Sequence, residues 1–182
     1  MNLLASRAQL RASFYRWALF CVPLIVLLGF VGGKMGTPDT LWFQGLTKPA
    51  IFPPPAAFGI VWSILYVMIG FSVALVVSSW GAYGRGLAVI LFAVHFLFNL
   101  AWTAVFFGTQ DMQGGLIVLG CAVVTLLPVM WAFFRVRKLA AYLLIPYFAW
   151  ICFASALNYQ FIVENPEGGS TEENGAAVEV TL

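Results

Sequence analysis

From Ala56 to Trp80 the chain runs 25 residues without a charged side chain. About 20 apolar residues wound as a helix cross the ~30 Å hydrocarbon core of a bilayer, so this one stretch nearly decides the solvent. Four more segments resemble it, and together they predict spans at 15–33, 56–80, 86–108, 114–134 and 139–163. Backbone groups in lipid must pair within their own segment, which leaves helices as the structure for such spans. The composition agrees: 62% of residues are hydrophobic and 9% charged, against about a quarter charged in a soluble domain. The expected fold class is therefore an all-α integral membrane protein, a five-transmembrane-helix bundle with a long ordered first loop.

The connections at 81–85, 109–113 and 135–138 are tight and permit only antiparallel neighbours. The first loop, 34–55, is long and carries Trp42, Phe43, Leu46, Ile51 and Phe52 with Pro49 and the run Pro53, Pro54, Pro55. Prolines fix φ and remove donors, so a stiff, apolar, non-helical segment is expected, either folded back as a lid over one end of the bundle or lying on the headgroups as an interfacial loop, with the lid favoured. Five crossings put Arg7, Arg11, Arg16, Arg85, Arg135, Arg137 and Lys138 on one side and Lys34 and Lys48 on the other. The positive-inside rule then places the N-terminus inside, with the first loop and C-terminal tail outside. Residues 1–14 read as a basic leader to a retained first span, because no small-x-small cleavage pattern follows. Residues 164–182 hold five glutamates and no basic residue, the composition of a disordered acidic tail.

Polar side chains inside spans are costly, so their placement is informative. His95, Asn99, Trp102 and Phe106 are spaced 4, 3 and 4 apart, which sets all four on one stripe of the third span. Trp62 and Tyr66 stand at i, i+4 in the second span, and Tyr147, Trp150, Ala154 and Asn158 follow a 3, 4, 4 pattern in the fifth. Such faces serve either as packed core or as the walls of a ligand pocket, and pattern alone leaves both open. His95 reads as a hydrogen-bonded contact between helices. One histidine excludes a multi-histidine metal site, and Cys21, Cys121 and Cys152 match no metal spacing. No acidic residue lies within a span except Glu164 at the end of the last, which argues against an ion-coupled pump. Neither a nucleophile–base spacing nor a phosphate loop is present, so no catalytic residue is expected, and nothing points to nucleic acid.

Four segments carry a family resemblance. Leu46 to Pro55 (LTKPAIFPPP) resembles the first-loop signature of the TspO/MBR family, the tryptophan-rich sensory or translocator proteins. Phe58 to Tyr66 (FGIVWSILY), Phe98 to Gly108 (FNLAWTAVFFG) and Ile145 to Trp150 (IPYFAW), followed by Leu157 and Asn158, resemble its second, third and fifth helices. The matches fall in order and cover about 17–161. The resemblance implies a five-helix bundle in a bacterial cell membrane, commonly a homodimer, that binds porphyrins or other haem-pathway tetrapyrroles and drug-like isoquinolines or benzodiazepines. No cofactor is required; porphyrin or haem is the implied ligand. The implied site is Trp62, Tyr66, Asn99, Trp102, Tyr147, Trp150 and Ala154, with Lys48 meeting a propionate at the mouth. An enzyme-like alternative, light- and oxygen-dependent porphyrin breakdown, would make Trp62 and Trp150 the redox-active residues. A lipid or sterol translocator is the third implied role, but here Tyr159 is followed by no basic residue before Glu164, so the family's sterol motif is broken. Ala50 and Ile51 stand where the family often has tryptophan. Gly29 and Gly33, overlapped by Gly32 and Gly36, form small-x-x-x-small pairs that suit either a dimer face or a flexible loop entry.

Overall fold

A computed structural model describes residues 7–168. Its helices are α1 (Arg7–Gly33), α2 (Leu41–Gly45), α3 (Pro55–Val77), α4 (Arg85–Thr103), α5 (Met112–Val136), α6 (Lys138–Leu143) and α7 (Ile145–Glu164). Among the described residues, five helical segments are long and apolar enough to cross a membrane by length and composition, α6 and α7 counting as one. At ~1.5 Å per residue each is about 35–40 Å long, enough for the hydrocarbon core. The outer surface is apolar: Leu19 is 78% exposed, Ile117 68% and Leu97 66%. The buried polar side chains among the described residues, Ser72, His95, Asn99 and Asn158, all lie inside the bundle.

Three local features differ from expectation. The first helix begins at Arg7, eight residues before the expected start of the first span at 15, and Arg11 lies in its second turn. The lid is not wholly irregular: Thr40 caps the one-and-a-half turns of α2 by accepting a hydrogen bond from the Phe43 amide at 3.2 Å. The last span breaks at Leu144 because Pro146 has no N–H and its ring crowds the carbonyl one turn back. Residues 1–6 of the leader and 169–182 of the acidic tail lie outside the described residues.

Three of the four glycines at 29, 32, 33 and 36 pack closely against other parts of the bundle. A Cβ on Gly29 would stand 2.3 Å from the Tyr66 ring, and one on Gly32 2.9 Å from Leu100. Gly36 is pressed against the backbone of Thr103 and Gly108 in the same way. Only Gly33 of the four is open. These contacts let α1 lie close on α3 and α4, the small-residue packing that replaces the hydrophobic effect between helices in lipid.

The lid is anchored at the far end of α7. Asn165 accepts from the Thr47 amide at 2.8 Å and donates back to the Thr47 carbonyl at 3.1 Å. The Trp42 indole donates to the Gly168 carbonyl at 2.9 Å. The end of the bundle carrying this lid is opposite the end carrying Arg16, Trp80 and Arg85, where Trp17 and Trp80 rings meet at 6.4 Å.

Gly29→Val drives methyl groups into the Tyr66 ring, so it should cost about 1–3 kcal/mol. Gly33→Val should be near neutral, and equal thermal shifts for the two variants in detergent would contradict this close packing. Asn165→Ala removes both bonds to Thr47, each worth about 0.5–1.5 kcal/mol. Hydrogen exchange should therefore accelerate across 40–48 while α3 to α5 stay protected; unchanged exchange would mean the lid is held elsewhere.

Candidate functional site

Beneath the lid lies a cavity of about 360 Å³ between α3, α4 and α7. Its apolar lining follows from helix spacing: Phe58 and Trp62 one turn apart on α3, and Ala154, Leu157, Asn158 and Phe161 at 3, 4 intervals on α7. The end of α4 widens into a π turn, Ala104–Gly108, with the Thr109 amide bonded back to the Ala104 carbonyl. A π turn carries one extra residue per turn, and here it swings both Phe106 and Phe107 onto the cavity, where their rings meet at 4.8 Å. The lid closes the top with Phe43 and Phe52. The Phe43 ring lies 5.1 Å from Phe107, 5.7 Å from Phe161 and 6.1 Å from Phe52.

Polar groups at this cavity are few and mostly engaged. Asn158 accepts from the Trp102 indole at 3.2 Å and donates to the Met112 carbonyl at 2.8 Å. That pairing fixes the Asn158 amide and holds the Trp102 ring against the wall. Lys48 donates to the carbonyls of Phe43 and Leu46, the latter at 3.0 Å, and its ammonium lies 4.2 Å from the Phe43 ring centre. Its first role is thus to close the C-terminal end of α2, leaving one N–H for a guest. Partial desolvation holds its pKa below the usual lysine value. Asp39 and Gln44 stand at the same rim.

Six expected residues line the cavity: Lys48, Trp62, Trp102, Phe106, Ala154 and Asn158. The other five sit elsewhere. Tyr66, His95, Asn99 and Tyr147 form a polar layer beneath the floor. There the Tyr66 hydroxyl is 3.3 Å from Asn99 Oδ1, and His95 is flanked by Thr125 at 3.1 Å and Tyr147 at 2.9 Å. Trp62 joins the two levels, stacked on Tyr66 at 5.2 Å and 24°. Trp150 stands behind Phe58 and Trp62, at 5.8 and 6.4 Å, and lines an apolar groove between α3 and α7 on the outer surface. Its indole N–H is the buried side-chain donor without a partner among the described residues. Among those residues no three His, Cys, Asp or Glu side chains approach one another as metal ligands would.

Phe43, Phe52, Phe58, Phe107 and Phe161 were not among the expected site residues. Phe58 and Phe161 continue the Trp62 and Asn158 stripes by one turn, a signal the sequence does carry. Phe107 is placed only by the π turn, which no spacing rule anticipates. Ala50 and Ile51 are exposed, and the roof is built by Phe43 and Phe52.

Comparison with known proteins agrees with this architecture. The TspO/MBR family matches residues 21–163. The chain is 36% identical to the tryptophan-rich protein TspO of Chlorobaculum tepidum over 148 residues, which is 80% of this chain and 94% of that protein. It is 32% identical to the tryptophan-rich sensory protein of Cereibacter sphaeroides, covering 79% of this chain and 89% of the relative. The human translocator protein is 36% identical over 71% of this chain and 79% of its own length. With five membrane-length helices and a family match over most of its length, the chain belongs to the TspO/MBR family of integral membrane proteins.

Proposed function

We propose that this protein is a membrane receptor or carrier for a flat, largely apolar small molecule, with a porphyrin or other tetrapyrrole as the physiological class. The observation that supports this best is the cavity under the lid, walled by Trp62, Trp102 and a ring of phenylalanines. Flat rings give a planar guest stacking area, and sites of this kind pair an apolar lining with a few polar tips. The names of relatives, sensory protein and translocator, suit signalling or carriage of such a guest.

Size sharpens the reading. A volume of 360 Å³ is near the lower end of the ~300–1,000 Å³ of small-molecule sites. Drug-like fused heterocycles such as isoquinolines or benzodiazepines fit under the closed lid. A tetrapyrrole requires the lid to lift, and its carboxylates then meet Lys48 at the rim. The basic end of the bundle is opposite, so the positive-inside rule puts this mouth on the outer side.

Titration with protoporphyrin IX should quench tryptophan fluorescence saturably. Ala154→Phe fills the cavity while leaving all seven tryptophans, and should weaken binding at least about tenfold, equivalent to ~1.4 kcal/mol. Unchanged affinity in a variant that melts normally would place the guest outside this cavity.

A further inference from the structure

The end of the bundle opposite the lid carries a notch that shares no residue with the ligand cavity. It is open, holds about 500 Å³, and is lined by Ser13, Arg16 and Trp17 of α1 and by Trp80, just past the end of α3. Trp80 is held as its far wall. The Arg85 guanidinium lies over the Trp80 ring at 4.2 Å while Nη1 donates to the Val77 carbonyl at 3.2 Å. Trp17 meets Trp80 at 6.4 Å, and indole rings at the ends of spans mark the level of the lipid headgroups.

Two donors at this notch are unused. Ser63, Thr125 and Ser155 each return their hydroxyl to a carbonyl one turn back in their own helix, the usual resolution for such a group. Ser13 makes no such bond, and no group among the described residues pairs with it. Arg16 is exposed and likewise meets no carboxylate or carbonyl among them. Nor does it lie over a ring, as Arg85, Arg135 and Lys138 do. The described carboxylates, Asp39, Asp111, Glu164 and Glu167, all stand at the lid end, whereas Arg11, Arg16, Arg85, Arg135, Arg137 and Lys138 gather here. From Arg16 a row at spacing four, Phe20, Leu24 and Leu28, runs along α1 away from the notch, and all three are exposed. An unpaired cation at headgroup level above an apolar row suits an amphiphile with an anionic head and a hydrocarbon tail.

We infer that the notch binds one anionic phospholipid, with its phosphate on Arg16 and Ser13 and one acyl chain along Phe20, Leu24 and Leu28. The guanidinium fork gives the phosphate two parallel N–H···O bonds, and the Ser13 hydroxyl, one turn back, gives a third. The Trp17 and Trp80 rings flank the glycerol. A choline head would bring its own cation among the other arginines, so charge selects the anionic class. The positive-inside rule assigns this end to the cytoplasmic leaflet, whose surface is the negative one. Bound there, the lipid ties α1 to the turn between α3 and α4, so the stability of the bundle follows the anionic content of its membrane.

Native mass spectrometry of the full chain, with dioleoylphosphatidylglycerol and dioleoylphosphatidylcholine added at equal concentration, tests the site. One phosphatidylglycerol should be retained per chain, at least about tenfold tighter than phosphatidylcholine, and it should raise the melting temperature in detergent. Arg16→Gln should lose both the preference and the thermal shift. Arg11→Gln removes the same charge outside the notch, and should weaken retention by less than about twofold. Ser13→Ala should weaken it about threefold, and carries the test if Arg16→Gln melts early without lipid. Equal retention of the two lipids, or equal losses in Arg11→Gln and Arg16→Gln, would overturn the site and leave only a general attraction of charge. Glycerol phosphate bound as tightly as phosphatidylglycerol would overturn it too, by making the notch a site for a soluble phosphate ester.

Discussion

A polar side chain in hydrocarbon has no water to fall back on, and that constraint organises this molecule. Lipid is as apolar as leucine, so apolar residues give a helix little reason to turn one face inward. Polar pairs and close backbone contacts supply the reason. Ser72 on α3 donates to the Ala140 carbonyl of α6 at 2.7 Å. Asn158 on α7 ties Trp102 of α4 to the start of α5, and His95 ties α4 to α5 and α7. Each link fixes the rotation of a helix about its own axis. The aromatic walls stand where those rotations leave them.

Much of this was legible in the residues themselves. Spans follow from length without charge, and the inward faces from spacings of three and four. His95, Asn99, Trp102 and Phe106 do share one buried stripe, but a stripe assigns a face and not a depth. Two of the four belong to the cavity and two to the layer below it, and their different partners on α7, Asn158 for Trp102 and Tyr147 for His95, separate them. The α1 glycines show the opposite failure. Small residues at that spacing mark a close approach without saying to what, and here the neighbours are Tyr66, Leu100 and the end of α4. Asn165 was invisible as a lid anchor because it lies past the last span, in a stretch whose composition looks like solvated tail.

The cavity and the polar layer beneath it are two answers to the same burial problem. Above, rings pack with few donors, which leaves space that a guest can occupy. Below, each donor has its acceptor and no space remains. Trp62 belongs to both levels, so a change in the cavity is felt at once by Tyr66 and Tyr147. Trp150, with its unmatched N–H, is the exception, and it stands at the boundary between the interior and the groove facing lipid.

Anchoring the lid to the last helix has a kinetic consequence. The loop is bound at both ends by α1 and α3, and its middle is bound to Asn165 and Gly168. A lid tied in this way does not swing freely on a pair of hinges, because lifting it breaks the Trp42 and Asn165 bonds that hold it to the end of α7. Opening is then a local unfolding event, whose frequency follows from the stability of a five-residue helix and a few hydrogen bonds. For a guest of the kind proposed above, that frequency would limit the rate of escape. Guests of quite different tightness should leave at similar rates, each waiting on the same door.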